Sequence, residues 1–350
     1  MTSIGIPRAL LYYQYFPMWK VFFESLGAEV VVSDTTTKDI LSEGSARVVA
    51  ETCLPTKVFC GHIIALIGKC DYVFVPSIRS IEENVYNCSK FLGLPDLVKA
   101  VIPNCPPIID ADIDINKGKA ALFAAIYQVG KRISRNPLRI KKASEAAWQM
   151  HQDYQSLMRR EGLTPPEAIE KLTGVASDTT VGRVDRPRLI VDRGLTVALL
   201  GHPYNIFDEY INHRVLHRLR VLGVKVVSTE MAEADDLSKG VERLVGGPYW
   251  TYENDVVGSG GHYLHSEVDG LITVVAFGCG PDSVMLDVVQ RYAKGLSDKP
   301  LMMLTIDEHA GEAGLVTRVE AFVDMLVRRR RRAERALTAE ASRTALETEV

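Results

Sequence analysis

The chain has 350 residues, 47% of them hydrophobic and 24% charged, with a net charge of −3. That length exceeds one small core and suits two α/β domains, and the small negative charge argues against general attraction to nucleic acid or anionic membrane. No stretch approaches ~18 uninterrupted apolar residues, and the N-terminus lacks a basic region followed by a long apolar run, so a cytoplasmic protein is expected.

In chain order, Ile4-Gly5-Ile6-Pro7 reads as a strand running into a turn, followed by a helix with a stripe of Met18, Val21, Phe22 and Leu26. Gly27 suits the left-handed position after a helix, and Glu29 to Ser33 reads as the next strand. Asp71 to Ser77 and Pro107 to Asp110 are further short apolar runs of the buried parallel-strand kind. Residues 117–172 read as helical, and the polar, turn-rich residues 173–190 read as a linker. The pattern then starts again: Leu200-Gly201-His202-Pro203 opens a segment with a Val215, Leu219 and Leu222 stripe, a Leu-Gly stop at Gly223 and a strand to Ser228. Gly5 and Gly201, Pro7 and Pro203, and Gly27 and Gly223 are each 196 positions apart. Asp269 to Val275 and Pro300 to Thr305 supply the later strands.

The pattern predicts two similar Rossmann-like (flavodoxin-like) α/β lobes with parallel sheets, produced by duplication. The predicted division is a lobe at 1–116, a helical bridge and linker at 117–190, a second lobe at 191–327 and a charged helical tail at 328–350. The tail holds the run Arg328 to Arg332, which without aromatic interleaving reads as a solvated helix.

Six cysteines in a reducing compartment are free, catalytic or metal-bound. Cys53, Cys88 and Cys279 each fall between a strand and a helix start, the face on which open α/β sheets bind ligands. A helix N-terminus there favours thiolate and stabilises an anionic group. Gly278 and Gly280 beside Cys279 would admit backbone amides to such a group. Cys60, Cys70 and Cys105 read as small buried hydrophobes, although Cys60, seven residues from Cys53 on one helix face, could also line the site. Spacing alone leaves both readings open for the first three as well, since no Cys-x-x-Cys pair and no zinc-ribbon spacing occurs.

Gly5-Ile-Pro-Arg-Ala-Leu, Glu51-Thr-Cys-Leu-Pro-Thr-Lys-Val, Gly61-His62, Gly201-His-Pro-Tyr-Asn, Phe277-Gly-Cys-Gly-Pro-Asp-Ser and Leu304-Thr-Ile-Asp-Glu-His-Ala-Gly-Glu-Ala-Gly run in order along residues 3–327. In these segments the chain resembles an uncharacterised branch of the 2-hydroxyacyl-CoA dehydratase, benzoyl-CoA reductase and double-cubane cluster superfamily, a branch associated with ATP-dependent acyl-CoA dehydratase activases. The resemblance implies Cys53, Cys88 and Cys279 as ligands of an iron–sulfur cluster, 4Fe–4S or double-cubane, with one iron open. It also implies an activase as electron donor, a small-molecule substrate that could be an acyl-CoA, and a homodimer or related heterodimer. The chain is shorter than the better-known dehydratases, so acyl-CoA specificity does not transfer.

Asp307, Glu308, His309 and Glu312 form an acidic segment after a strand, read either as a proton donor or as a helix cap with first-turn acids. His202 and Asn205 face either the interlobe cleft or only a turn. Glu308, His309 and His202 are the candidate catalytic groups. Lys57 and His62 read as surface or core residues on the helix behind Cys53, and Tyr249 and Trp250 as cleft caps or buried aromatics. The segments Glu82 to Lys90 and Gly258 to His265 are expected to meet an electron-donating partner. No Gly-x-x-x-x-Gly-Lys-Ser/Thr and no Gly-x-Gly-x-x-Gly occurs, so neither P-loop ATP hydrolysis nor dinucleotide chemistry is expected. The rival reading is a non-redox, two-lobed binder of a small ligand with structural cysteines.

Overall fold

A computed structural model of the chain describes residues 1–176, 192–247, 250–296 and 298–348. Four parallel strands build the first lobe: β1 (Ser3–Ile6), β2 (Glu29–Val32), β3 (Tyr72–Phe74) and β5 (Ile108–Ile109). A two-stranded extension joins β4 (Ser77–Ser80) to β6 (Asp112–Asp114). The second lobe holds β7 (Leu195–Leu200), β8 (Val224–Ser228), β9 (Gly270–Ala276) and β10 (Leu301–Ile306). Spatial orders are β2-β1-β3-β5 and β8-β7-β9-β10, all pairs parallel. With β1 matched to β7, the two sheets have the same topology, as the repeat predicts.

The matched turns behave alike too. Gly27 and Gly223 both take left-handed backbones, φ +88° and +74°, closing α1 (Tyr12–Ser25) and α10 (Val215–Val221). Where α1 is continuous, its counterpart is split. A short α9 (Pro203–Ile206) precedes α10, and the connection carries His213 and Arg214 in left-handed conformation, φ +54° and +64°.

In each lobe a tightly packed helix pair connects the second strand to the third strand of the four-stranded sheet. In the first lobe this is α2 (Lys38–Ser45) on α3 (Leu54–Ala65), in the second α11 (Ala234–Val245) on α12 (Thr251–Tyr263). A Cβ on Gly44 would sit 2.0 Å from Lys57 O, and one on Gly240 2.0 Å from Gly258 O. Only glycine allows backbones this close. These two glycines share the 196-residue offset. Residues 258–263, expected to form a partner-facing segment, are instead part of α12. Their glycines are buried against α11, and of 258–264 only His262 is partly open; the glycine run serves helix packing, not a loop.

Strand alternation decides the core. Val197 and Leu199 of β7 point into one apolar cluster shared with Ile4 and Ile6 of β1, and Ala198 and Leu200 into a second with Val257 and Val289. Both faces of the sheet are covered, as parallel sheets require. The first cluster spans the lobes. The predicted helical bridge is α6 (Lys119–Lys131), α7 (Pro137–Glu161) and α8 (Pro165–Thr173). It packs on α1, where buried Tyr154 donates to Tyr13 O at 2.6 Å, and ties to the second lobe where Arg220 pairs Glu167 at 2.9 Å. Most of the predicted linker, 177–190, and Tyr249 lie outside the described residues. After α4 (Ser89–Leu92), α5 (Leu94–Val101) and α13 (Gly280–Leu296), the chain ends in α14 (Glu312–Thr348). Among the described residues no helix is long and apolar enough to cross a membrane.

Candidate functional site

Each of the three singled-out cysteines begins a helix. Cys53 is the N-cap of α3 and Cys88 that of α4, both with extended ψ of 145° and 142°; Cys279 directly precedes α13. Pro55 at the start of α3 and Pro281 at the start of α13 have the fixed φ that a first turn accepts. The fold then brings these starts together. Cys53 lies within electrostatic reach of both the Cys88 and Cys279 thiols. Gly278, φ +80°, packs on the Cys53 backbone: a Cβ there would stand 3.3 Å from Glu51 O and 3.5 Å from Cys53 Cα. A Cβ on Gly280 would meet nothing within 4 Å.

The thiols are partly buried. Burial raises Cys88, with the Lys90 amide acting the other way. Burial raises Cys279 strongly, the nearby Asp282 carboxyl adding to it. Unaided, these two groups are thiols. Bound cationic metal would invert that preference. The donor set fits a cluster: three soft sulfur donors, at helix N-termini, drawn from both lobes. Among the described residues no three His, Cys, Asp or Glu side chains converge as ligands of a single metal ion, while a multi-iron cluster places each cysteine on its own iron.

Beside Cys279 lies a buried polar patch. His202 is 1% exposed, Glu253 2% and Asp282 0%. His202 Nε2 stands 3.5 Å from Asp282 Oδ1 and 3.9 Å from Glu253 Oε1. Burial lowers His202, raises Glu253 and pushes Asp282 up to about 7, so the patch holds its protons on carboxyls rather than on imidazole. Both His202 nitrogens, the Asn205 amide and both Asp282 oxygens lack hydrogen bonds among the described residues. Asn205 and His202 are thus buried together, with His202 stacked on Tyr204 at 4.9 Å. Sequence reading picked out His202 and Asn205 but gave no role to Glu253 or Asp282. The available signal was a carboxylate in α12 and one in the first turn of α13, each facing inward.

Lys57 and His62 prove to be buried, Lys57 in a direct cross-lobe contact and His62 in one relayed by Thr36. Lys57, 2% exposed, ion-pairs with Glu308 after β10 and donates to Ala50 O at 2.8 Å. Burial acts to raise Glu308, but the Lys57 hydrogen bond and charge outweigh it and hold the carboxyl below its usual range. His309 is 88% exposed, with Nε2 3.9 Å from Glu308.

His62 is fully buried. Thr36 Oγ1 donates to Asp208 Oδ2 at 2.5 Å. An ionised carboxylate only accepts, so Thr36 spends its proton there and accepts from His62 Nε2–H at 2.9 Å. His62 Nδ1 then accepts from Ser33 Oγ at 2.9 Å, and Ser33 Oγ accepts the Arg8 amide at 2.9 Å. The chain needs a neutral imidazole, and burial, helped by Arg8, drives the His62 pKa to about 3. The second lobe repeats the contact as Thr229 Oγ1 to Ser259 Oγ at 3.0 Å.

Cys60, Cys70 and Cys105 fall on the first lobe away from that site. Burial raises all three, Cys60 to about 12 and Cys105 to about 11, as it also raises Cys88 and Cys279. Trp250 is the N-cap of α12, the position Cys53 holds on α3.

A comparison with curated proteins found no match. Residues 3–232 match the family described as the CoA enzyme activase uncharacterised domain (DUF2229). The matched span holds Cys53, Cys88 and His202, and Cys279 and Glu308 lie beyond it. The match covers about two-thirds of the chain, which therefore belongs to the CoA enzyme activase uncharacterised-domain family.

Proposed function

We propose that the chain is an iron–sulfur redox protein of the 2-hydroxyacyl-CoA dehydratase kind, working with an ATP-dependent activase on a small substrate such as an acyl-CoA. The observation that carries the reading is the meeting of three cysteine-started helices from two lobes. Cys53, Cys88 and Cys279 would hold the cluster, 4Fe–4S or double-cubane. When bound, such a group supplies low-potential electrons and an open iron for reduction or dehydration.

The chain's own residues supply the setting. Gly278 lets the Cys279 loop lie against Cys53, and Lys57–Glu308 holds the second lobe against α3. Asp282, poised near 7, is the buried proton donor beside His202, and exposed His309 stands next to Glu308 as a further catalytic group. Activase partnership is supported by the family description and by the rim. Val49, Tyr86, Phe277 and Val284, 70%, 50%, 67% and 54% exposed, are large apolar side chains within five residues of the three cysteines. Exposed apolar side chains of this kind suit a transient protein contact. Pairing into a homodimer or related heterodimer belongs to the same reading.

The test is purification without oxygen followed by iron and sulfide analysis. Brown protein with stoichiometric iron and sulfide supports the proposal. Colourless, iron-free protein after reconstitution overturns it in favour of a non-redox ligand binder. Reduction of the loaded protein by its activase should require ATP; equal reduction without ATP removes the activase step alone.

A further inference from the structure

A second cavity, of about 490 Å³, opens between the lobes. The loop after β2 contributes Thr35 and Thr36, the split-helix connection contributes Glu209, Tyr210, Ile211, His213 and Arg214, and the segment after β10 contributes Asp307, Glu308, Ala310 and Glu312. It therefore lies beyond the carboxyl ends of strands from both lobes, where doubly wound folds take ligands, and its volume is within the roughly 300–1,000 Å³ usual for small-molecule sites. None of the three cysteines lines it.

Its wall is built, not incidental. Thr36 is fixed by the His62–Thr36–Asp208 hydrogen bonds. On the facing side two consecutive non-glycine residues, His213 and Arg214, are held in left-handed conformation, a strain that concentrates at binding sites. Three buried polar atoms here, Glu209 Oε1, His213 Nε2 and Arg214 Nε, have no hydrogen-bond partner among the described residues. Burial outweighs Arg214 and raises the Glu209 carboxyl.

The charge of the lining selects the ligand. Four carboxylates, Glu209, Asp307, Glu308 and Glu312, face one guanidinium, Arg214. Glu308 is matched by Lys57 and Glu312 by Arg218 from outside the lining, and Arg214 Nε sits 3.5 Å from Glu209 Oε2. Asp307 accepts the His309 amide at 2.6 Å and is in no ion pair among the described residues. The surplus is negative, which repels phosphates and carboxylates and attracts a cation. Tyr210, 39% exposed, adds an aromatic face on which an ammonium group can rest.

We infer that this interlobe pocket binds a small organic amine, its ammonium group received by Glu209 and Asp307 and its apolar body by Tyr210 and Leu41. The inference does not rest on the cluster, so the two can fail separately. Isothermal titration of the full chain, prepared anaerobically, uses tyramine as probe, with uncharged 4-ethylphenol and anionic coenzyme A as controls. Tyramine should bind at least tenfold more tightly than either control, with or without bound iron. Glu209→Gln should weaken it about tenfold or more. Asp307→Asn, which keeps an acceptor for the His309 amide, should weaken it similarly while leaving the unfolding midpoint unchanged. Absence of tyramine binding, equal binding of 4-ethylphenol, tighter binding of coenzyme A, or indifference to both substitutions overturns the assignment.

Discussion

Lys57→Met and Glu308→Gln probe the contact that holds the second lobe on α3. In the wild type Lys57 is buried and Glu308 is 19% exposed at its side chain. Removing one partner of a fully buried pair costs about 3–5 kcal/mol, because the remaining charge is stranded. Solvent reaches Glu308, so Glu308→Gln should cost less, ~2–3 kcal/mol, with Lys57 still bonded to Ala50 O. The double variant strands no charge and should recover ~1–2 kcal/mol relative to the sum of the single losses. Urea unfolding at neutral pH measures all four proteins. The pH dependence follows from the depressed Glu308 pKa. A carboxyl with a folded pKa below its unfolded value of about 4.5 contributes stability fully above that pH. The contribution disappears as pH falls through the folded pKa. The gap between wild type and Glu308→Gln should therefore be constant above pH 5 and shrink below 4.5. A Glu308→Gln variant within about 0.5 kcal/mol of wild type, or strictly additive single losses, would refute the latch and return Glu308 to a purely chemical role.

Other outcomes are equally specific. Cys53→Ala, Cys88→Ala and Cys279→Ala should each lower iron bound after anaerobic reconstitution, whereas Cys60→Ala, Cys70→Ala and Cys105→Ala should retain it; iron analysis decides, and full retention in the first set removes the cluster reading. His62, with a folded pKa near 3 against 6.5 unfolded, contributes stability present above pH 6.5 and lost on acidification towards 3, up to ~5 kcal/mol in all. The stability difference between wild type and His62→Gln should therefore fall between pH 6.5 and 4, as read by denaturant titrations across that range; a flat difference would count against the neutral tautomer. Gly61→Ala places a Cβ 1.9 Å from Ile40 O. It should cost ~3 kcal/mol or more, seen as a drop in thermal midpoint, while Gly280→Ala, with open space, should leave it nearly unchanged.

The sequence by itself determined the repeat. Glycines and prolines act locally: Gly27 and Gly223 stop helices because only their backbones take positive φ cheaply, and short apolar runs make buried parallel strands wherever they fall. Those rules placed Cys53, Cys88 and Cys279 at helix starts and gave both sheets one order. The helix-pairing role of the Gly258-Ser-Gly-Gly run, expected only to meet a partner, shows once a second backbone is seen packed on it. What only the tertiary structure decided is which distant residues meet. Lys57 finds Glu308, His62 reaches Asp208 through Thr36, and His202 is buried with Glu253 and Asp282. Each pairing joins segments far apart in the chain, and nothing local in either partner records it. Such contacts are set by how two sheets and their bridging helices share one core, and burial there turns ordinary lysines, histidines and carboxylates into paired or shifted groups.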